Sequence, residues 1–379
     1  MKKMLFLTGS RGEWCYIRPI LRLIRARDDV DYRLVVTNMH LLPAYGSSWQ
    51  EIERDGFTIH HKVRMAVEGG DHASHAKSLG VCLEALPDIL DVEHPDWVVL
   101  AGDRGEQLMG AIACSYTYTP VAHIQAGELS GNIDGMCRHA IGKLAHLHLA
   151  ANEDAADRLM RLGEEPFRVF NVGAPQVDEM VSAQYSTRED LEAKYGVDLS
   201  RGFYLAVMHP VTEEAASAGE QARIFVEALN ALAAPKIAIL PNNDAGSLAV
   251  RSAIEQGRRG DWHLFANMPR ADYLGFLKEA LAIVGNSSSG LLEAPSFGTP
   301  AVNIGRRQDM RFRGANVIDA PFDRDEIFTA VERASSLEFR ASIAGMENPY
   351  GDGHSSERIL DLLMSIEADA RWMAKKLTY

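Results

Sequence analysis

The stretch MLFLTGSRGEWCYIRPILRLIRARDDVDYRLVVT, residues 4–37, contains two short apolar runs with an amphipathic segment between them. The apolar runs, at 4–9 and 32–37, have the length and the bounding turn residues that are typical of buried strands. The segment between them, at 16–27, repeats apolar residues at helical spacing. The stretch therefore predicts a strand–helix–strand unit with two parallel strands.

The alternation of apolar runs and helical segments continues along the chain, with one interruption and one restart. It is interrupted by the polar, glycine-rich segment GELSGNIDGM at 127–136, and it restarts with FYLAVMHP at 203–210. Between them, at 173–187, Gly, Pro, Ser and Thr accumulate, which favours a domain boundary. We therefore predict an α/β protein with two doubly wound domains. The predicted ranges are 1–175 for the first domain, 176–355 for the second, and 356–379 for a C-terminal helix that packs back on the first.

Length and composition agree with two globular domains. The chain has 379 residues, more than one core usually supports, and 46% of them are hydrophobic. Its formal net charge of −13 argues against a general nucleic-acid-binding protein. No run approaches the ~18 apolar residues of a membrane span, and the N-terminal run is too short for a signal peptide. The four cysteines (15, 82, 114 and 137) have no metal-binding spacing, which predicts free thiols in a cytoplasmic protein.

Ligands of doubly wound sheets bind beyond the carboxyl ends of the strands, so the loops there are the candidate sites. The loop TGSRGEW at 8–14 places Arg11 at a predicted helix N-terminus, which suits an anion. A plain strand–helix turn with a surface arginine is the commoner alternative. The loop AGDRGEQ at 101–107 places Asp103 and Arg104 after an apolar strand. Asp103 fits a catalytic carboxylate, or a helix N-cap with Glu106 completing a capping box.

The segment HIQAGELSGNIDGMCRHAIGKLAHLH at 123–148 is the most informative, because polar residues surround three glycines where a helix should begin directly. These polar residues are His123, Glu128, Asp134, Arg138 and His139. Two carboxylates on one loop suit general acid–base catalysis at a carbon-bound proton. The segment contains no HExxH, and its helical histidines face different ways, so we predict no metal site. His146 and His148 are predicted to be packing or surface residues.

Two loops of the second half suit phosphate binding. The loop MHPVTEE at 208–214 aims His209 outward, where it fits either a phosphate or leaving-group contact or a hydrogen-bonded strand-end histidine. The loop GNSSSGLLEAPSFGTP at 285–300 places hydroxyl and backbone N–H groups at a predicted helix start. This pattern favours a diphosphate site, with a serine-rich N-cap as the alternative. Glu293 is placed to accept ribose hydroxyls, and Arg306 and Arg307 suit a cationic clamp.

Over nearly its whole length the chain resembles the hydrolysing branch of the UDP-N-acetylglucosamine 2-epimerase family. The matching motifs are TGSRGEW, GDRGE, the whole 123–148 segment, HPVTEE, LPNNDAGS and GNSSSGLLEAPSFGTPAVNIGRRQ. The resemblance implies two facing Rossmann-like, GT-B-like domains with the active site in the cleft between them. It implies conversion of UDP-GlcNAc and water into UDP and N-acetylmannosamine, the entry step to sialic acids.

The resemblance also has implications for the substrate, cofactors, metals and oligomeric state of the chain. It implies a nucleotide-sugar substrate, no NAD or other cofactor, and no essential metal. It implies a homodimer or a dimer of dimers. No nucleic-acid or membrane partner is expected, because of the net charge and the lack of a long apolar run.

The resemblance assigns roles to individual residues. Asp103, Glu128 and Asp134 match the acid–base carboxylates, and Arg104 and His139 would support them. Arg11 and His209 would contact the phosphates, with His209 also counted among the catalytic residues. The remaining binding positions are Ser287, Ser288 and Gly290 for the diphosphate, Glu293 for the ribose, Arg307 in preference to Arg306, and either Asn242 or Asn243 in the strand-end loop.

The chain departs from the family pattern at Gly12 and Trp14, where members commonly read SRAEY or SRADY. A bulkier aromatic at Trp14 would reshape the sugar end of the pocket, so the sugar stays open. One alternative is the same reaction on a UDP- or GDP-linked 2,4-diacetamido-2,4,6-trideoxy sugar of the legionaminic acid pathway. A glycosyltransferase of the same architecture and a non-catalytic nucleotide-sugar sensor are further alternatives.

Overall fold

The computed structural model describes residues 1–69, 71–182 and 185–379, which form two compact units. Unit 1 comprises Met1–Leu129, Ile133–Glu179 and Tyr350–Tyr379, and unit 2 comprises Ser130–Asn132 and Met180–Pro349. The predicted boundary stretch, 173–187, includes residues 183 and 184, which lie outside the described part of the chain.

Unit 1 is built on one parallel sheet. Its strands are β1 (Lys2–Thr8), β2 (Val30–Thr37), β3 (His61–Val63), β4 (Trp97–Ala101), β5 (Val121–Ala126), β6 (Leu147–Ala150) and β7 (Val169–Asn171), in the spatial order β3-β2-β1-β4-β5-β6-β7. Alternate residues of β1 belong to different core clusters, with Phe6 in one and Leu7 in the other. Because the sheet is buried on both faces, its strands read as continuous apolar runs.

Helices cover both faces of this sheet. They are α1 (Arg11–Arg25), α2 (Trp49–Arg54), α3 (His72–Glu93), α4 (Gly105–Tyr116), α5 (Ile133–Leu144) and α6 (Glu153–Arg161), with α7 (Asp178–Val181) across the division between the units. The apolar side of α1, which includes Ile17 and Leu21, packs in the cluster of Phe6. Cys82 and Leu86 of α3 pack in the cluster of Leu7 on the other face.

Unit 2 repeats this architecture with six parallel strands. They are β8 (Tyr204–Val207), β9 (Lys236–Ile239), β10 (Trp262–Phe265), β11 (Ala282–Gly285), β12 (Ala301–Ile304) and β13 (Val317–Ala320), in the order β10-β9-β8-β11-β12-β13. The helices are α8 (Arg188–Tyr195), α9 (Ala218–Asn230), α10 (Ser247–Gly257), α11 (Arg270–Glu279), α12 (Ser289–Leu292), α13 (Arg324–Ser335) and α14 (Leu337–Ser342). The prediction of two parallel, doubly wound α/β sheets is confirmed.

Both sheets reverse their strand order at one point, and this locates the candidate sites. The reversal lies between β1 and β4 in unit 1 and between β8 and β11 in unit 2. At such a point neighbouring connections leave to opposite sides of the sheet and open a crevice at the carboxyl ends. The loops after these four strands are four of the five loops selected from the sequence.

The C-terminal segment, predicted as one helix, is divided in two: α15 (Ser355–Ser365) and α16 (Ala370–Met373). The second helix begins because Asp369 caps it, accepting hydrogen bonds from two backbone N–H groups. Arg168, whose side chain is buried, donates to the carbonyl oxygens of Trp372 at 2.6 Å and Arg371 at 2.9 Å. The segment therefore forms part of unit 1.

All four cysteines are free thiols, as predicted. Within the described ranges, no helix combines the length and the apolar character needed to cross a membrane.

Candidate active site

The loop after β1 places Arg11 at the first position of α1, where it is half-buried. Ser10 is the N-cap of this helix, and Glu13 completes a capping box with it. The Glu13 carboxylate also accepts the backbone N–H of Gly9 at 2.5 Å and of Ser10 at 3.0 Å. The turn is thus fixed by Glu13, and it carries the Arg11 guanidinium to the carboxyl edge of the sheet.

Asp103 lies in the loop after β4 and forms an ion pair with Arg138 of α5. The alternative that Asp103 caps α4 is wrong, because the N-cap position is Arg104 and no side chain caps there. Arg138 is 2% exposed and also donates to the carbonyl oxygen of Gln125 at 2.6 Å. Since a buried guanidinium is stable only when its charge is compensated, Asp103 is held against α5.

Glu128 follows β5 and is 1% exposed, so it is the most deeply buried of the three predicted carboxylates. Its Oε1 accepts a hydrogen bond from Asn152 Nδ2 at 2.5 Å, and its Oε2 accepts one from the Tyr350 hydroxyl at 3.3 Å. Both donors were missed in the sequence. Asn152 follows β6 and obeys the same strand-end rule, whereas Tyr350 lies 222 residues away along the chain. Two fixed donors orient the carboxylate before any substrate binds.

Asp134 and His139 both lie on α5, which begins where the polar loop ends. Asp134 is half-buried in the first turn, where the helix N-terminus favours a negative charge. His139 is half-buried, and burial together with the positive charge of Arg138 lowers the pKa of its imidazole. His139 is therefore a neutral hydrogen-bonding group at pH 7. The polar loop thus ends on a helix that carries one predicted carboxylate and, through Arg138, holds another.

The other histidines of this segment are structural. His123 is fully buried on β5, with its Nε2 2.7 Å from the carbonyl oxygen of Gly102. His146 Nδ1 accepts the backbone N–H of Val121 at 3.1 Å, and His148 Nε2 lies 2.9 Å from Glu164. His146 and His148 are packing residues, as predicted. Among residues 1–69, 71–182 and 185–379, no cluster of three or more His, Cys, Asp or Glu could hold a metal ion.

In unit 2, His209 follows β8 and is fixed by the two neighbouring strand ends. The side chain of Asn286, after β11, accepts the His209 N–H and donates to the His209 carbonyl oxygen, both at 2.8 Å. The imidazole Nδ1 accepts the backbone N–H of Asn242 at 3.2 Å. With Nδ1 acting as an acceptor, the neutral ring carries its proton on Nε2, which is a donor for an anionic ligand. Asn286 was missed, although it stands at a strand end.

The two asparagines after β9, Asn242 and Asn243, differ in burial and in their contacts. Asn242 is buried, donates its amide to Asp244 at 2.6 Å, and positions His209 through its backbone N–H. Asn243 is half-buried. Because Asn243 is more exposed than the buried Asn242, it is the better candidate for a ligand contact.

The serine-rich loop after β11 is less helical than predicted. Ser287 and Ser288 are half-buried at its start, but α12 is only four residues long and a 3₁₀ turn, Ala294–Phe297, follows it. One helical turn has too few aligned peptide groups for a strong macrodipole, so this part of the expectation is corrected. A Cβ at Gly290 would lie 3.1 Å from the Cβ of Ala301, which shows that glycine allows α12 to approach the sheet closely.

Glu293 has a cationic partner that was missed. It forms an ion pair with Arg270, the first residue of α11, at 2.6 Å, and it accepts a hydrogen bond from the Ser289 hydroxyl. The Tyr273 hydroxyl in turn donates to Ser289 at 2.7 Å. Glu293 is only 6% exposed, so its carboxylate is held rigidly at the end of the serine loop.

The two arginines after β12 are distinguished by their contacts. Arg306 pairs with Glu214 and donates to the carbonyl oxygen of Gly131 at 2.7 Å, so its guanidinium is engaged within unit 2. Arg307 donates one bond, from Nη1 to the carbonyl oxygen of Asn286 at 3.2 Å, and its buried Nε has no hydrogen-bond partner among the described residues. The geometry therefore favours Arg307 for an anionic ligand, which agrees with the preference drawn from the motif.

Trp14 lies in the core of unit 1. It is 4% exposed in the core cluster of Phe6, and its ring packs edge-on against Phe57 with centroids 5.2 Å apart. It shares helical spacing with Ile17 and Leu21 and therefore lies on the apolar side of α1. The expectation that Trp14 shapes the sugar end of the pocket is corrected.

A family model described as UDP-N-acetylglucosamine 2-epimerase matches residues 22–364. The chain belongs to this family. A Legionella pneumophila relative named UDP-N,N'-diacetylbacillosamine 2-epimerase (hydrolyzing) is 36% identical over 380 residues, covering 100% of both chains. A Neisseria meningitidis relative named UDP-N-acetylglucosamine 2-epimerase is 33% identical over 89% of this chain and 88% of its own.

A solved epimerase confirms the GT-B-like fold of the family for this chain. The crystal structure of UDP-GlcNAc 2-epimerase from Neisseria meningitidis bound to UDP-GlcNAc has a TM-score of 0.82 at 18% identity, covering 96% of this chain and 100% of that one. At that identity the likeness describes the fold and not the substrate.

Proposed function

We propose that this member of the epimerase family is a hydrolysing nucleotide-sugar 2-epimerase that converts UDP-GlcNAc and water into UDP and N-acetylmannosamine. The observation that carries the proposal is the buried Glu128 carboxylate, held by Asn152 and Tyr350 at the strand edge that also presents Asp103. A buried carboxylate with fixed orientation suits proton transfer at carbon. The names of the relatives agree with this chemistry.

The reaction needs one proton to leave carbon and another to return. A base removes the proton from C2 of the sugar while the bond from C1 to the UDP oxygen breaks, which gives a 2-acetamidoglucal. Water then adds at C1, and C2 accepts a proton on the opposite face, which inverts that centre. Asp103, Glu128 and Asp134 are the proposed groups for these transfers, with Arg104 and His139 supporting them. The sequence of steps is redox-neutral, so we propose that it uses no NAD and no metal.

The leaving diphosphate needs positive charge and hydrogen-bond donors. We assign this role to Arg11, His209 and Arg307, together with the hydroxyls and N–H groups of the serine loop at 287–290. Preorganised donors aimed at a leaving oxygen are worth most in the transition state, where its charge develops. Glu293 would accept ribose hydroxyls, and Asn243 would contribute the amide of the strand-end loop.

A second candidate substrate is a nucleotide-linked 2,4-diacetamido-2,4,6-trideoxy sugar. The observation that favours it is the full-length match to the relative named as a diacetylbacillosamine 2-epimerase. The proposed residues act on C1, C2 and the diphosphate, which the two sugars share, so the same mechanism serves both. We further propose that the enzyme works in the cytoplasm as a homodimer or a dimer of dimers.

Nucleotide release from a panel of sugars tests the proposed function. UDP-GlcNAc, UDP-diacetylbacillosamine and their GDP counterparts are incubated with the protein and no acceptor, and the free sugar is identified by NMR. We expect UDP and N-acetylmannosamine from UDP-GlcNAc. Faster release from the diacetamido sugar would select the second candidate. Turnover only after an acceptor is added would identify a glycosyltransferase and contradict the proposal.

Arg307→Ala should weaken nucleotide binding with little effect on folding. A lost charge-assisted hydrogen bond is worth about 1.5–3 kcal/mol, so the Kd for UDP and the KM should rise by roughly ten- to a hundredfold. Within the described part of the chain Arg307 donates one hydrogen bond, to the Asn286 carbonyl oxygen, so the melting temperature should change little. Arg324→Ala is the matched control, because Arg324 is exposed and pairs only locally with Asp325 in the contacts shown. Equal UDP affinity in the two variants would remove Arg307 from the site.

A further inference from the structure

Two buried glutamates below the loop after β1 play no part in the mechanism above. Glu13 is 2% exposed and Glu106 is 0% exposed. Both carboxylates flank Gly9: Glu13 accepts the Gly9 N–H at 2.5 Å, and a Cβ at Gly9 would collide with the carboxylate of Glu106. The pair therefore lies between the turn that carries Arg11 and the first turn of α4.

In each carboxylate, one oxygen accepts hydrogen bonds and the other has no hydrogen-bond partner among the described residues. Glu106 Oε1 accepts from Asn38 Nδ2 at 2.9 Å and from Arg104 Nε at 3.3 Å, and Glu13 Oε2 accepts two backbone N–H groups. Glu13 Oε1 and Glu106 Oε2 are buried without a hydrogen-bond partner among the described residues. Since buried polar atoms are normally paired, these two oxygens lack one donor.

We propose that Glu13 and Glu106 share a single proton at neutral pH, and that the pair positions the Arg104 guanidinium beside Asp103. A proton on one unsatisfied oxygen supplies the donor that both lack. Glu106 then carries the negative charge that Arg104 and Asn38 bind.

The charges around the pair favour the same arrangement. Arg104 is a cation that faces the two carboxylates. The thiol of Cys82 on α3 also faces them, and burial with this negative charge raises the pKa of that thiol to about 12. Glu106 also acts on Cys137 of α5, where burial, Asp134, Asp103 and Glu106 together raise the pKa of the thiol to about 11. Two buried negative charges facing one guanidinium would leave one uncompensated, which is costly. Burial and the charge of Glu106 accordingly raise the pKa of Glu13 well above its ordinary value, with Gln107 and the Gly9 N–H opposing this in part.

The positioning role of the glutamate pair rests on the proposed function. The pair acts through Arg104, which the proposed function assigns to the support of the acid–base carboxylates. Arg104 is the N-cap of α4, and its backbone alone does not fix the direction of its guanidinium. Glu106, which is itself held by Asn38, thus holds the Arg104 side chain from the buried side. Glu106 and Glu13 are positioning residues, since neither is placed in contact with substrate.

Infrared difference spectroscopy tests the shared proton without any activity. The wild-type protein at neutral pH should show the C=O stretching band of a protonated carboxyl group. This band should be missing from the spectrum of Glu13→Gln. Glu164→Gln is the matched control: Glu164 is also buried, but His148 and Lys375 bind it and hold the pKa of its carboxyl low, so this variant should keep the band. A wild-type spectrum equal to that of Glu13→Gln would overturn the shared proton.

Kinetics test the positioning role. Glu106→Gln should lower kcat/KM by about ten- to a hundredfold, whereas Glu13→Gln, which leaves the Glu106 charge in place, should lower it less. In an Arg104→Ala background, Glu106→Gln should have little further effect. If the double variant Arg104→Ala/Glu106→Gln lost kcat/KM by the product of the two single losses, the proposal that Glu106 acts through Arg104 would be overturned. If Glu106→Gln does not fold, Glu106→Asp, which shortens the side chain, should lower kcat/KM and keep the infrared band. Absence of nucleotide release from every sugar would contradict the proposed function and leave the infrared result standing.

Discussion

Replacing Glu128 with glutamine should lower kcat by about a hundredfold to ten-thousandfold, because a positioned general acid or base contributes about that much. The amide has nearly the same shape as the carboxylate. Its oxygen can still accept from Asn152 Nδ2, and its NH2 group can donate to the Tyr350 hydroxyl oxygen, so the pocket should stay folded. UDP binding should change little, since the proposed phosphate contacts come from other residues. Single-turnover kinetics with UDP-GlcNAc and calorimetric titration with UDP measure the two effects separately.

Asp154→Asn is the matched control for this variant. Asp154 lies on α6, two residues after Asn152, and its half-exposed carboxylate pairs with Arg158. We expect both kcat and UDP affinity of this control to remain within about twofold of the wild type. Full activity in Glu128→Gln would remove Glu128 from the proton transfers and leave them to Asp103 and Asp134.

Unit 1 should lose about 4 kcal/mol of its free energy of unfolding between about pH 7.5 and pH 5, from two fully buried histidines alone. Burial lowers the pKa of His40 and His123 from 6.5 to about 3. In the folded state both rings stay neutral, whereas in the unfolded state they bind protons as the pH falls below 6.5. The stabilisation is therefore present above the unfolded pKa and is lost on acidification, at about 2 kcal/mol for each ring by pH 5.

The contacts of His123 explain why its ring resists protonation. Its Nε2 lies 2.7 Å from the Gly102 carbonyl oxygen, and its buried Nδ1 has no partner among the described residues, so a second proton would find no acceptor. Hydrogen exchange measured on peptides of unit 1 at several pH values should show the loss. His123→Gln should reduce the slope of the unfolding free energy against pH. His72→Gln, at an exposed position, should leave that slope unchanged. An unchanged slope in His123→Gln would contradict the assignment.

The sequence was sufficient for the two sheets because buried parallel strands are apolar throughout and therefore easy to recognise. The apolar run predicted as a strand at 32–37 lies within β2, at Val30–Thr37. Edge strand β3 leaves almost no apolar pattern, because it has three residues and one neighbouring strand, and its position is set by its pairing with β2. The break before α16 depends on the cap by Asp369, which an apolar pattern does not reveal.

The candidate site was predictable where a residue follows a strand, because parallel strands bring their carboxyl ends to one edge. The hydrogen-bond and ion-pair partners of those residues were not predictable from the sequence. Asp103 and Arg138 are 35 residues apart, and Glu128 and Tyr350 are 222 apart, so only the folded chain joins them. Trp14 was a different case, because its helical spacing with Ile17 already indicated the core.

Incubation with UDP-GlcNAc in D2O tests the central claim most directly, because the proposed mechanism replaces the hydrogen at C2 with one from solvent. We predict release of UDP and of N-acetylmannosamine that carries one deuterium at C2, with no acceptor present. Product with the original hydrogen at C2 would contradict removal of the C2 proton by a protein carboxylate and its return from solvent, and with it the account given for Glu128, Asp103 and Asp134.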